Sequence, residues 1–244
     1  KNHEYRVGLT PGSIGEIVHH GHQVVVETEA GAGIGMHDAD YRAAGADIAE
    51  FPQVRANAAQ AREYGAGVAD ALAALTNCIH PVVAAIQGAC TGGGLEVACG
   101  CDLRISNASG RFGSPINKLG HSFAYDELKT VLAVASRALI LELILEGRIM
   151  DALEALSRGL VNRVVADAEF DNEIQATTAR IVSGAPLVSR TTKKFLRRIV
   201  GPGADPAPLT QAEIDEGYAL CDSKDYAEGM RAFLAKQKPT FEGR

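Results

Sequence analysis

Short apolar runs alternate with amphipathic stretches along most of the chain, and this pattern predicts an α/β fold. Val82–Ile86 is a compact apolar run that follows Pro81, and similar runs occupy Leu103–Ser106 and Val161–Val165. Runs of this length between turn residues are typical of buried strands. Proline can begin such a strand because that position needs no ladder donor.

Helical spacing of apolar positions predicts helices between and after these strands. The alanine-rich stretch "VRANAAQAREYGAGVADALAALTNC" forms one, with an expected break near Gly65 and Gly67. "RALILELILEGRIMDALEALSRGLVNRVV" forms two amphipathic helices that end at Gly147 and Gly159. From Asp167 onward the pattern is helical, interrupted by the proline- and glycine-rich "GPGADPAP".

The first fifty residues differ from the rest of the chain in their excess of acidic residues. They contain three basic and eight acidic residues, and they predict a short helix followed by the β-branched strand "QVVVET". The glycines after that strand do not match a dinucleotide-binding fingerprint, because Met36 stands where its third glycine belongs. We interpret them as a turn.

Composition narrows the class of protein. The 244 residues carry a net charge of -6, which argues against a nucleic-acid binder that relies on a basic surface. No apolar run approaches the length of a bilayer span, and no basic-then-apolar leader is present, so we expect no membrane partner. The five cysteines are an odd number, which favours a reducing, cytoplasmic setting over a disulfide framework. Cys99 and Cys101 lack the further ligands of a metal site, so no metal is expected.

The stretch "ACTGGGLEVACGCD" places three consecutive glycines directly before Leu95 and Glu96, where a strand gives way to a helix. The first amides of a helix have no intrahelical partners and carry positive partial charge. Glycines let a ligand oxygen approach those amides, and Glu96 in the first turn could accept a proton from such a ligand. The alternative is purely structural: the glycines allow a tight crossing, and Glu96 is a favourable first-turn acid.

The segment "HPVVAAIQGACTGGGLEVACGCDLRIS" resembles the signature of the crotonase, or enoyl-CoA hydratase/isomerase, superfamily. The resemblance continues through "RFGSPINKLG" and the tail "DYAEGMRAFLAKQKPTFEGR", and it reaches back to "AAGADIAEF". It covers roughly residues 43–244. It implies a ββα-spiral core followed by C-terminal helices that pack against other subunits in a homotrimer or dimer of trimers.

The resemblance also implies a site. Two backbone amides, those of Ala46 and Gly93, would form an oxyanion hole for an acyl-CoA thioester, and Glu96 would be the catalytic acid or base. No separate cofactor is implied, since coenzyme A arrives as part of the substrate. The positions implied to bind substrate are Ala44, Asp47, Ile48, Gly92, Ile116 and Phe233.

One departure from the family concerns the second hydratase glutamate. Its position is Ile116 in "FGSPIN", and an aliphatic side chain cannot move a proton. The following loop offers His121, Asp126 and Glu127 as substitutes, although loop acids are more often solvated surface charges.

The other departure is the N-terminus. Residues 1–48 resemble the amino-terminal segment of alanine dehydrogenases, with Arg6 matching that family's substrate arginine, and the two resemblances meet in "AAGADI". The chain therefore resembles a chimera: an atypical segment over 1–42, a spiral core over 43–165 and a helical region over 166–244. Alanine dehydrogenase chemistry is not expected, because the resemblance includes no nucleotide-binding domain.

The resemblance implies an enoyl-CoA hydratase/isomerase-family enzyme of fatty acid metabolism. Isomerisation suits a single carboxylate, whereas hydration needs two proton-handling groups. The alternative is a non-catalytic acyl-CoA-binding or assembly subunit, which Ile116 favours. Lys236 and Lys238, near Phe233, resemble family positions at the adenine end of coenzyme A. A basic helix face is interpreted as solvated, with a phosphate site as the alternative; its residues are Lys193, Lys194, Arg197 and Arg198.

Overall fold

The computed structural model describes residues 51–201 and 203–244. They fall into two units: the described residues up to Cys78 with Val82–Phe170, and Ile79–Pro81 with Asp171–Arg244. The predicted helix and "QVVVET" strand near the N-terminus lie outside the described residues. So do four of the predicted site residues, namely Ala44, Ala46, Asp47 and Ile48.

The first unit contains two three-stranded sheets. In one, β1 (Val83–Ile86) and β6 (Arg163–Val165) flank β3 (Leu103–Asn107), and all three strands are parallel. In the other, β4 (Arg111–Gly113) pairs in parallel with β2 (Ala89–Thr91) and antiparallel with β5 (Ile149–Asp151). Parallel pairing requires crossover connections, and helices supply them.

Six helices of the first unit connect and cover these strands, within the part of the chain that the structure describes. They are α1 (Phe51–Val54), α2 (Ala58–Asn77), α3 (Gly93–Gly100), α4 (Tyr125–Leu132), α5 (Arg137–Glu146) and α6 (Ala152–Ser157). The main core packs α3, α5 and the second sheet together, with Leu95, Phe112, Leu139 and Met150 almost fully buried. A smaller cluster joins α2 to α3 through Leu72, Leu75 and Val97.

The second unit is helical. It contains most of α7 (Phe170–Val182), followed by α8 (Pro186–Ile199), α9 (Gln211–Ala219) and α10 (Lys224–Leu234). The C-terminal tail folds back on α10, where the amides of Glu242 and Gly243 donate to the buried Asp225 carboxylate at 2.7 and 3.0 Å. Within the described residues, no helix combines the length and apolar character needed to cross a bilayer.

The strand pattern predicted β1, β3 and β6 to within two residues at each end, and Gly147 ends α5 in the left-handed conformation as expected. The predicted break near Gly65 and Gly67 is wrong. Helix α2 runs unbroken through both glycines, because helical backbone accepts glycine at a modest cost.

Three short strands were not predicted, namely β2, β4 and β5. Each has only three residues, and together they include glycine, arginine and aspartate, so they show no apolar run.

Candidate active site

A glycine turn connects β2 to α3. The amide of Gly92 donates to the carbonyl of Gly113 at 3.1 Å, which extends the β2–β4 pairing into the turn. Gly92 has φ 55° and ψ −126°, a conformation that favours glycine strongly. Its carbonyl accepts the amides of Leu95 and Glu96 at 3.0 and 3.2 Å, so the helix begins immediately after the turn.

The first amides of α3, those of Gly93 and Gly94, have no hydrogen-bond acceptor within the part of the chain that the structure describes. Helix N-termini leave such donors unsatisfied, and their dipoles favour negative charge. Gly93, whose amide is predicted to contribute to an oxyanion hole, is the first residue of α3. Its predicted partner, Ala46, lies outside the described residues, so the convergence of the two amides stays a prediction.

Glu96 lies in the first turn of α3 and is only 4 % exposed. Its helix neighbours Leu95 and Val97 are also buried. A carboxylate in such surroundings is costly unless charges or dipoles compensate it, and the helix N-terminus supplies part of that compensation.

Two buried thiols lie close to this turn in sequence, Cys90 on β2 and Cys99 on α3. Burial raises the pKa of Cys99 to about 12, with Arg104 lowering it and Glu96 raising it further. Burial is also the main reason that the pKa of Cys90 lies well above its usual value, and the neighbouring Cys99 and Cys101 add to it. Both thiols are therefore protonated and inert near neutral pH. No group of three or more potential metal ligands occurs within residues 51–201 and 203–244.

Ile116 belongs to the main core. It lies in a 3-10 helix over Pro115–Lys118 and is 5 % exposed, packed with the cluster that includes Phe123 and Leu143. The position of the second hydratase glutamate is therefore filled by apolar packing. Whether Ile116 also contacts an acyl chain stays a prediction.

The loop acids that were considered as substitutes have partners of their own. Asp126 pairs with Lys129 at 2.9 Å on the surface, and Glu127 accepts the amide of Ala124 at 2.5 Å, which caps α4. The ring of His121 approaches the carbonyl of Ser122 at 3.2 Å. These contacts give Asp126 and Glu127 structural roles.

The basic face of α8 makes intramolecular contacts within the second unit. Lys193 donates to the carbonyl of His80 at 2.6 Å, and Lys194 pairs with Glu216 at 2.6 Å. Arg198 pairs with Glu213 at 2.7 Å. These pairs account for three of the four cations without a phosphate ligand. Phe233 on α10 is 80 % exposed, so its ring is available at the surface.

Sequence reasoning missed one buried charged residue beside α3. Arg104 lies on β3, is 7 % exposed, and donates to the carbonyl of Cys101 at 2.7 Å and to that of Leu160 at 2.8 Å. An arginine inside the apolar run "DLRIS" was the available signal, because a charge in a buried strand requires partners.

Comparison with known proteins decides the family. The enoyl-CoA hydratase/isomerase family model matches residues 36–244, which include Gly93, Glu96 and Ile116. The chain belongs to the enoyl-CoA hydratase/isomerase family. A second model, for the N-terminal domain of alanine dehydrogenase and PNT proteins, matches residues 1–62. The two matches overlap across the "AAGADI" junction.

Named members of the hydratase/isomerase family resemble the chain over most of its length. A short-chain-enoyl-CoA hydratase from Clostridium acetobutylicum is 32% identical over 196 residues, covering 80% of this chain and 73% of that protein. A crotonyl-CoA hydratase from Syntrophomonas wolfei is 32% identical over 199 residues, covering 81% and 75%.

A solved structure supports the same assignment. The enoyl-CoA hydratase/carnithine racemase from Magnetospirillum magneticum superposes with a TM-score of 0.78 at 52% identity, covering 82% of this chain and 73% of that one. The predicted crotonase-type fold is confirmed, and the chain is an enzyme of this family.

Proposed function

We propose that the chain acts on short acyl-CoA thioesters by stabilising an enolate, with Glu96 as its single proton-transfer group. One observation supports the proposal most strongly: a buried carboxylate and open helix amides share the first turn of α3, directly after the glycine turn. The named relatives, both hydratases, favour an enoyl-CoA substrate. Coenzyme A belongs to that substrate, so the proposal requires no separate cofactor.

The amides of Gly93 and Ala46 are proposed to receive the thioester oxygen. Each preorganised donor aimed at a developing oxyanion contributes about 3–4 kcal/mol of transition-state stabilisation. The position of Gly93 supports its part, because its amide lies at a helix N-terminus and has no acceptor among residues 51–201 and 203–244.

Double-bond isomerisation is the reaction that this set of groups fits best. Glu96 removes a proton from the α-carbon of a β,γ-enoyl thioester, and the electrons pass to the thioester oxygen as a dienolate. Glu96 then returns the proton to the γ-carbon, and the carbonyl re-forms with the double bond moved into conjugation. The cycle balances with one carboxylate. Hydration needs a second group to activate water, and Ile116 supplies none.

The direct test offers vinylacetyl-CoA and crotonyl-CoA to the purified protein, with Glu96→Gln as the variant. We expect isomerisation of vinylacetyl-CoA to exceed hydration, and Glu96→Gln to lower kcat on the order of a hundredfold or more. Glu127→Gln is the matched control, because Glu127 caps α4, and it should keep the parent rate. Equal rates for the parent and Glu96→Gln would remove Glu96 from the mechanism.

A non-catalytic acyl-CoA-binding subunit is the second candidate, and the buried Ile116 favours it. Calorimetry with butyryl-CoA separates the two. Binding without turnover of either unsaturated thioester supports the binding subunit, whereas the absence of binding rejects both candidates.

We propose further that the chain forms a homotrimer or a dimer of trimers in the cytoplasm. Large apolar side chains are exposed on α8–α10, including Val188, Tyr218, Phe233 and Leu234, and association would cover them. All five cysteines are free thiols, which suits a reducing compartment. Sedimentation equilibrium measures the assembly, and a monomer at micromolar concentration would reject it.

A further inference from the structure

The side chain of Arg104 makes four hydrogen bonds, two with the far end of the Glu96 helix and two with the loop before β6. Its guanidinium donates to the carbonyls of Cys101 and Ala98 at 2.7 and 3.4 Å, which belong to the C-cap and last turn of α3. It also donates to the carbonyl of Leu160 at 2.8 Å and to Oδ1 of Asn162 at 3.4 Å, in the loop before β6. Arg104 therefore ties the C-terminus of α3 to the first sheet.

Helix α3 depends on such contacts for its position. It has eight residues, or about 12 Å of length, and it begins and ends with glycine. Helices this short are unstable alone, and each interior glycine costs about 1 kcal/mol relative to alanine. Gly92, its N-cap, provides no side-chain hydrogen bond. Tertiary contacts must therefore hold the helix in place.

The charges agree with this arrangement. Glu96 and Arg104 are the charged side chains that the first unit buries, within the described residues. Glu96 lies at the positive end of the helix dipole, and Arg104 lies at the negative end. Both charges act on the pKa of Cys99, which lies between them in sequence: Arg104 lowers this pKa and Glu96 raises it.

We propose that Arg104 is a positioning residue for the site: by capping and anchoring the C-terminus of α3, it fixes the Gly93 amide and the Glu96 carboxylate against the substrate. This inference rests on the proposed function. Arg104 does not touch the reacting atoms. A purely structural role, in which Arg104 stabilises the fold and leaves the site geometry unchanged, is the competing outcome.

The test measures how strongly the protein polarises the carbonyl of a bound thioester, so it needs no turnover. Butyryl-CoA labelled isotopically at the carbonyl carbon is bound to the full chain, and isotope-edited infrared spectra report its C=O stretch. Donors that polarise the carbonyl lower this frequency. We expect the parent to lower it, and Arg104→Met to show a shift at least about twofold smaller, because the Gly93 amide moves out of alignment.

Arg148→Met is the matched control. Arg148 is a half-buried arginine of the same unit that bridges Glu142 and Glu154, so its loss removes ion pairs without touching α3. It should preserve the parent shift. Circular dichroism and urea unfolding check that each variant is folded. If Arg104→Met does not fold, Arg104→Lys decides, because an ammonium keeps the charge but lacks the fork that spans several carbonyls. Its shift should also fall below that of the parent.

The outcomes separate the two proposals. A full carbonyl shift in a folded Arg104→Met or Arg104→Lys protein overturns the positioning role and leaves the proposed function intact. A parent protein that binds butyryl-CoA without shifting its carbonyl frequency, or does not bind it, removes the proposed function and the positioning role together.

Discussion

A carboxylate and a hydroxyl show how differently the fold treats its buried polar side chains. Glu96 is placed where helix amides favour its charge, whereas the hydroxyl of Ser114 is buried without a hydrogen-bond partner among the described residues. Ser114 directly follows the Gly113 carbonyl that accepts the amide of Gly92.

Ser114→Ala should therefore leave stability unchanged or raise it by up to about 1 kcal/mol, because it removes an unpaired buried hydroxyl. The control is Thr130→Val, which removes a buried hydroxyl that donates to the carbonyl of Asp126 at 3.0 Å. That change should cost about 1 kcal/mol. Urea unfolding measures both. A clear loss of stability in Ser114→Ala would mean that this hydroxyl has a partner in the folded protein.

At this scale the sequence indicated candidates for the site, and their catalytic roles stay predictions. The glycine run and Glu96 were recognisable because helix N-termini have known donors and because the motif resembles a family signature. The role of Arg104 could not be predicted, since its carbonyl partners at Cys101 and Leu160 are set by tertiary packing.

At the scale of helices and turns, two glycines show that replacing glycine can change stability in opposite directions, depending on the backbone conformation. Gly65 lies inside α2, whereas Gly92 has a positive φ of 55°. A Cβ added at either glycine would meet no described residue within 4 Å, so backbone conformation distinguishes the two positions.

Gly65→Ala should stabilise the protein by about 0.5–1 kcal/mol, because alanine loses less entropy in a helix. Gly92→Ala should destabilise it by roughly 1–2 kcal/mol, since its conformation is strained for any side chain. Thermal unfolding of the two variants beside the parent gives the comparison. Effects of the same sign would contradict the assigned conformations.

The sequence predicted elements well where apolar periodicity was sustained. β1 and α5 are examples, because burial on one or both faces leaves a repeating pattern. β2 and β4 left none, since a strand of three residues is too short to show a repeating pattern.

At the scale of the whole molecule, pH affects stability through two carboxylates of the second unit. Their pKa is lower in the folded protein than in the unfolded chain. The amide of Thr210, then Arg198 and the Thr210 hydroxyl, lower the pKa of Glu213 from 4.5 to about 2. Arg231 and the amide of Thr240 lower that of Glu228 to about 2. The stability that these groups contribute is fully present above pH 4.5, the ordinary value, and is lost as the pH falls through the folded value.

The free energy of unfolding should therefore decline between about pH 4.5 and pH 2. In Glu213→Gln the same decline should be shallower, because one of the protonating groups is gone. Urea titrations across this pH window measure the slopes. An identical slope in the variant would show that Glu213 has its ordinary pKa in the folded protein.

The family matches also concern the whole molecule. The hydratase/isomerase model covers residues 36–244 and the alanine dehydrogenase model covers 1–62, so residues 36–62 satisfy both. The fold after this overlap could be inferred from specific motifs in combination. The pairing of Ala46 with Gly93 is implied by the resemblance alone, and it stays a prediction because Ala46 lies outside the described residues.

The central claim is that one carboxylate beside an oxyanion hole forms an enolate from a thioester, and proton exchange tests it most directly. Butyryl-CoA is incubated with the protein in deuterated water, and mass spectrometry follows deuterium at the α-carbon. Exchange needs Glu96 and the polarised carbonyl, but it needs neither water addition nor a second acid. We predict exchange well above the buffer rate that disappears in Glu96→Gln. A protein that binds butyryl-CoA yet exchanges its α-protons no faster than buffer would contradict the account.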